Sequence, residues 1–175
     1  MDTTRYWQLV EDSRAGAGDE WEVAARLTDR LSALPPAEII AAAQAFWDLM
    51  AGSYRAPLWG AAYMINGGCS DDAFEYFRGW LITQGREVFE RVVADPDSLA
   101  DLPAVQEAAA GRLEKDCEEM LGAAYSAYEK ATGERLPQGS YTIRYPDLDP
   151  EWSFDFEEGD ELDRRLPRLA ALYDR

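Results

Sequence analysis

The chain has no histidine among its 175 residues. That removes Ser–His–Asp and Cys–His nucleophilic catalysis, histidine-ligated zinc and histidine-based pH switching together. Lysine is scarce as well: Lys115 and Lys130 are the only lysines among 17 basic residues, and arginine supplies the rest. That bias, with abundant alanine, fits a GC-rich bacterial coding sequence. Cysteine is confined to Cys69 and Cys117. They are far apart and in no metal-ligand spacing, the usage expected of reduced thiols in a cytoplasmic protein. Long apolar runs are missing too, and the opening stretch MDTTRYWQLVEDSR is charged, unlike a signal peptide or a membrane span. Gly67 and Gly68 make neither a P-loop nor a dinucleotide fingerprint, because the Lys–Ser/Thr ending and the βαβ surroundings are both missing. Any chemistry must therefore use carboxylates, thiols, Tyr, Lys or Arg. No cofactor is expected, and an enzyme is the minor reading.

Acid is what the chain has in excess. The formal net charge is −17, which repels nucleic-acid phosphates and anionic membranes. The natural counterpart is a protein with a basic surface, a role that includes mimicry of nucleic acid. A hydrophobic share of 47% with six tryptophans places the chain among folded, core-forming proteins rather than disordered ones.

Apolar residues recur at helical spacing for most of the length. Thr3 or Thr4 caps a first helix to about Ser13, and Asp19 caps a second to about Leu34. Pro36 suits the first turn of a third, to about Tyr54. Its stripe is Ile39, Ile40, Ala43, Phe46, Trp47 and Met50. Pro57 starts a fourth through Asn66. Arg86 to Ala94 reads as another, and the stretch after it as a loop or single turn. Pro103 opens a long pattern to about Thr132, weakened at Gly111 and Gly122 by about 1 kcal/mol each relative to alanine. Gly133 is the expected stop. The fold class is all-α: a single multi-helix domain, residues 1–135, followed by an extended acidic-aromatic arm, residues 136–175, that packs on or extends from it and ends in a short helix.

The stretch GGCSDDAFEYF holds the densest set of reactive groups. Gly67 and Gly68 end one helix, Ser70 caps the next, and Asp71 and Asp72 sit in its first turn, where the helix dipole favours anions. Alternatively Asp72 caps, with Glu75 completing a capping box. Glu75 and Arg78 form an i, i+3 pair on the flank. A ligand site would use Trp59, Tyr63, Asn66, Cys69, Ser70, Asp71, Asp72 and Arg78, with the two carboxylates holding a divalent cation or acting as general base. A helix N-terminus lowers the Cys69 thiol pKa, and Asp71 and Asp72 oppose that. The plainer reading, helix stop then helix start, carries more weight.

The run LWGAAYMINGGCSDDAFEYFRGWLITQGREVFERVVADPDSL resembles the signature of the bacterial domain-of-unknown-function family 4240. Trp59, Ala61, Ala62 and Tyr63 fall on its Trp-x-Ala-Ala-Tyr stretch and Gly67 to Asp72 on its turn. Phe77, Arg78, Trp80, Leu81, Ile82 and Gly85 fall on the helix that ends in glycine. The resemblance covers Thr3 to about Thr132. It implies a fold unit and brings no activity with it.

From Tyr145 to Asp163 there are nine acids and no bases. Tyr141, Ile143 and Tyr145 alternate with polar residues, as do Trp152, Phe154 and Phe156. The pattern admits a hairpin, an arm lying on the helical body, or a disordered segment. A calcium loop is a weaker fit: Asp147, Asp149, Glu151 and Glu158 fall at ligand positions, but Trp152 stands where the turn needs glycine, so no metal site is expected. Trp152, Phe154 and Phe156 are the candidate anchors for a protein partner, with the surrounding acids steering its basic surface. The alternative is a small-molecule or divalent-cation site, or a hydrolase, at Asp71 and Asp72.

Overall fold

The computed structural model describes residues 1–157 and 160–174. The fold is all-α, with no strand among the described residues. The helices are α1 (Thr3–Arg14), α2 (Glu20–Ser32), α3 (Pro36–Gly52), α4 (Ala56–Asn66), α5 (Asp71–Thr83), α6 (Arg86–Ala94), α7 (Pro103–Gly111), α8 (Glu119–Thr132), α9 (Glu161–Arg165) and α10 (Pro167–Leu172). Short 3-10 turns at Pro96–Asp101 and Pro150–Trp152 join them.

Local chemistry accounts for most boundaries. Asp19 caps α2 by accepting the Glu22 amide at 2.7 Å, and Ser70 caps α5 by accepting that of Ala73 at 3.3 Å. Asp2, not Thr3 or Thr4, caps α1, accepting the Arg5 amide at 2.8 Å. A carboxylate one residue upstream out-competes the hydroxyls for the free amides. Gly67 and Gly133 end α4 and α8 in the left-handed conformation, φ 68° and 74°, which glycine adopts without a Cβ penalty.

The continuous pattern expected from Pro103 to Thr132 is broken. Arg112 takes the left-handed position after α7, φ 52°, and the chain does not resume a helix until Glu119. The Asn66 side chain holds the connecting segment, accepting the Lys115 amide at 2.8 Å and donating to its carbonyl at 3.2 Å. The Cys117 amide donates to the Tyr76 carbonyl at 3.0 Å.

The core runs from Tyr6, Trp7 and Val10 of α1 through Leu27 and Leu31 of α2 and Ile39, Phe46 and Met50 of α3. It continues through Phe74, Phe77 and Trp80 of α5 to Met120 and Ala127 of α8. Each fully buried large side chain among these contributes about 1.5–3 kcal/mol of transfer free energy. Leu162, Leu166 and Leu169 belong to the same core, so the C-terminal helices are built into the body. Asp97, itself buried, accepts the backbone amides of Arg168 at 3.1 Å and Leu169 at 2.9 Å. A carboxylate 71 residues upstream of Arg168 thus serves the first turn of α10, and Arg168 forms an ion pair with Asp101.

Between α8 and α9 the chain crosses the helical body in extended form. Tyr141 stacks on Trp47, ring centroids 5.8 Å apart and 11° from parallel. The Gln44 side chain accepts the Thr142 amide at 2.8 Å and donates to its carbonyl at 3.1 Å. Tyr145 stacks on Tyr54 at 4.4 Å. Among the three conformations the sequence allowed, the described residues take the one in which the arm lies on the body.

Candidate functional site

The turn between α4 and α5 is braced by aromatic rings. Trp59 Nε1 donates to the Cys69 carbonyl at 2.9 Å, and its ring stacks on Phe74 at 4.7 Å. Beneath this pair lies the Arg78 guanidinium, fully buried. It sits 4.6 Å from the Phe74 ring centroid, 5.0 Å from that of Tyr145 and 5.2 Å from that of Tyr54. Its Nη1 donates to the Met50 carbonyl at 2.6 Å and its Nε to the Phe74 carbonyl at 3.2 Å. The cation is thus held by ring faces and by the carbonyl end of α3, where the helix dipole is negative. Among the described residues its Nη2 has no acceptor within hydrogen-bond geometry.

The flank pair expected between Glu75 and Arg78 does not form. Arg78 turns inward, and Glu75 instead accepts the Tyr145 hydroxyl at 2.8 Å. Burial pushes the Tyr145 phenol up to about 12, partly opposed by the neighbouring guanidinium. The lowered Cys69 thiol pKa is overturned as well. Desolvation pushes it up to about 12, outweighing the favourable field of Arg78 and the contact with Trp59. The thiol is therefore neutral at physiological pH and a poor nucleophile.

Asp71 and Asp72 are solvent-exposed in the first turn of α5, and no hydrogen bond or ion pair joins their side chains to other described residues. Ser70 is used as the cap and Asn66 as the brace for Lys115. Among the described residues no group of three or more carboxylates and thiols is gathered closely enough to hold a metal ion. Asp147, Asp149 and Glu151 are exposed on the arm, and Glu158 lies outside the described residues.

The concave surface lies one side of this turn. Trp59, Tyr63 and Cys69 of the body and Leu148, Trp152, Phe154 and Phe156 of the arm enclose an open groove of about 620 Å³. The arm rings pack in series, Trp152 on Phe154 at 5.7 Å and Phe154 on Phe156 at 5.4 Å. Phe156 meets Tyr63 edge-on at 5.6 Å, and the Tyr63 hydroxyl donates to Glu157 at 2.7 Å. Among the described residues the charged lining consists of Asp149, Asp155 and Glu157, with no basic residue. Arg165, held by Glu161 at 2.7 Å, covers Trp152 and Phe154 at 4.9 and 5.0 Å. The structure therefore joins Trp59, Tyr63 and Cys69 to Trp152, Phe154 and Phe156 in one groove, and leaves Asp71, Asp72 and Arg78 out of its lining. Sequence reasoning missed this joining and the part of Arg165. The alternation of acids and rings through EWSFDFE was the available signal.

The fold is all-α, and the groove between α4 and the arm is aromatic and acid-rimmed. The chain belongs to the family described as "Protein of unknown function (DUF4240)", whose model matches residues 1–130. The body wall of the groove falls inside the matched segment and the arm wall beyond it. No curated protein and no solved structure matches the chain. No helix among the described residues is long and apolar enough to cross a membrane.

Proposed function

We propose that this protein is a non-catalytic binding module of the cytoplasm that takes an arginine- or lysine-bearing segment of a partner protein into the groove between α4 and the arm. The observation that carries this is the lining itself: ring faces on both walls, three carboxylates and no cation. Ring faces attract ammonium and guanidinium groups, by about 0.5–1 kcal/mol when exposed and about 2 when desolvated. Arg165 supports the reading, because a guanidinium of the chain itself already lies on Trp152 and Phe154. The surplus of negative charge steers a basic segment toward the site and accelerates encounter. A small-molecule or divalent-cation site, or a hydrolase, at Asp71 and Asp72 has less support, since both face solvent outside the groove.

Titration of the full chain with a fluorescein-labelled arginine-rich peptide, read by anisotropy, tests the proposal. Trp152→Ala and Phe156→Ala should each weaken binding about tenfold, at a salt where a charge-reversed glutamate peptide does not bind. Equal affinity for both variants and the parent would show that the peptide binds only by diffuse charge, and would sink the groove.

A further inference from the structure

A second concave face lies along α2 and α8, and its composition points to a different mode of contact. It encloses about 810 Å³. Trp21 and Tyr125 stand on its walls with 49% and 41% of their surfaces exposed, an unusual state for large rings on a chain that buries the rest of its core so fully. Ala25, Gly122 and Ser126 are among the small residues that line it. Its charged lining among the described residues is Asp29, Glu75, Glu118 and Glu119, of which Asp29 is paired with Lys130 at 2.7 Å. Glu118 chiefly, then desolvation, Asp72 and Glu75, raise the Tyr76 phenol.

Gly122 is the informative residue. It lies inside α8, where glycine costs about 1 kcal/mol relative to alanine. A Cβ placed there meets nothing within 4 Å. The packing of this chain therefore gives no reason for a glycine at that position. Gly60 and Gly79, buried within α4 and α5, differ: a Cβ would lie 2.8 Å from the Leu162 side chain at Gly60 and 2.6 Å from the Cys117 carbonyl at Gly79. The side chain missing at Gly122 leaves room outside the molecule, in the groove.

We infer that the α2–α8 face is a docking site for a cationic amphipathic helix of a partner protein, which lies along the groove with a small or apolar seam over Gly122 and Ala25 and its Lys or Arg flanks against Glu75, Glu118 and Glu119. A helix is the occupant because the backbones of α2 and α8 are satisfied internally and offer no edge for strand addition. Small lining residues let two helices approach within the usual 8–10 Å. From Trp21 to Thr28 the groove runs for roughly 10 Å, about two turns. The occupant is cationic because the lining carries only carboxylates, and a second copy of a chain with net charge −17 would bring like charge to like. This site shares no lining residue with the arm groove.

The test uses the full chain and a synthetic 18-residue amphipathic helix with Lys and Arg on one face and Leu and Ala on the other, alongside a version with every cation replaced by glutamate. Binding is read by anisotropy, folding by circular dichroism and thermal melting. The cationic helix should bind and the anionic one should not. Gly122→Leu should fold as the parent does and weaken binding at least tenfold. Gly122→Ala should raise the melting temperature while lowering affinity, a combination that a purely structural glycine cannot give. Trp21→Ala should weaken binding to a similar degree, and Trp152→Ala should leave it unchanged. Binding that survives Gly122→Leu, or that is lost in Trp152→Ala instead, overturns the site. So does failure of the cationic helix to bind, or a concentration-dependent dimer in sedimentation that Gly122→Leu abolishes.

Discussion

Two helical glycines provide a matched pair of perturbations. Gly79→Ala and Gly122→Ala each gain about 1 kcal/mol of helix propensity. Their surroundings are opposite. At Gly79 the new methyl would sit 2.6 Å from the Cys117 main-chain oxygen and 3.0 Å from Leu121, while at Gly122 it enters open space. Overpacking costs roughly 1–3 kcal/mol where neighbours can yield. Cys117 cannot yield easily, because its amide is bonded to the Tyr76 carbonyl at 3.0 Å. Taking the upper end, Gly79→Ala loses about 2 kcal/mol net and Gly122→Ala gains about 1, a separation of about 3 kcal/mol. For a chain of this size each kcal/mol moves the melting temperature by about 2–4 °C. Scanning calorimetry should therefore place Gly79→Ala about 4–8 °C below the parent and Gly122→Ala about 2–4 °C above it. A Gly79→Ala protein as stable as the parent would refute the close approach of α5 to the backbone at Cys117, in the segment leading into α8.

Four further substitutions, a pH titration and a thiol-modification rate follow from the same geometry. Arg78→Met should cost about 3 kcal/mol in urea denaturation, since lost charged hydrogen bonds outweigh the recovered desolvation. Arg78→Lys should do no better, because an ammonium cannot stack between rings while serving two carbonyls, and a lysine variant within about 1 kcal/mol of the parent would contradict this. Asp97→Ala should lose about 1–3 kcal/mol and speed hydrogen exchange across α9 and α10, and unchanged exchange there would deny the long-range cap. Burial holds the Tyr145 phenol and the Cys69 thiol up at about 12, above their unfolded values of about 10 and 8.5. Their contribution is complete below about pH 8.5 and is lost as pH rises toward 12. Urea midpoints should fall over that range, Tyr145→Phe should flatten the upper part of the fall, and a midpoint constant to pH 11 would rule the linkage out. At pH 8 a disulfide reagent should modify Cys69 more slowly than free cysteine, whereas a matching rate would mean that the thiol is not desolvated.

Features governed by near neighbours in the chain were legible beforehand. Asp19, Pro36, Ser70 and Gly133 act within one turn of where they stand, so caps and stops announce themselves. The break after Gly111 was visible only as weakness, because what fixes it is Asn66, 49 residues from Lys115. Arg78 shows the limit more sharply. Periodicity placed it beside Glu75 on a flank, but Tyr54, Tyr145 and the end of α3 draw it inside. No spacing rule within α5 contains that information. The groove depends in the same way on the arm returning to α4. The acids and rings of EWSFDFE could be read, and the surface they meet could not.

The placement of Leu162, Leu166 and Leu169 in the core has a consequence for birth on the ribosome. Residues 1–135 emerge with one side of their packing unfilled, and Asp97 waits for amides that have not yet been made. At about 5–20 residues per second, the stretch from 135 to 170 takes roughly 2–7 s to synthesise. For that interval the apolar side of α4 stays uncovered by α9 and α10. A chain truncated before Leu169 would keep that side of α4 bare.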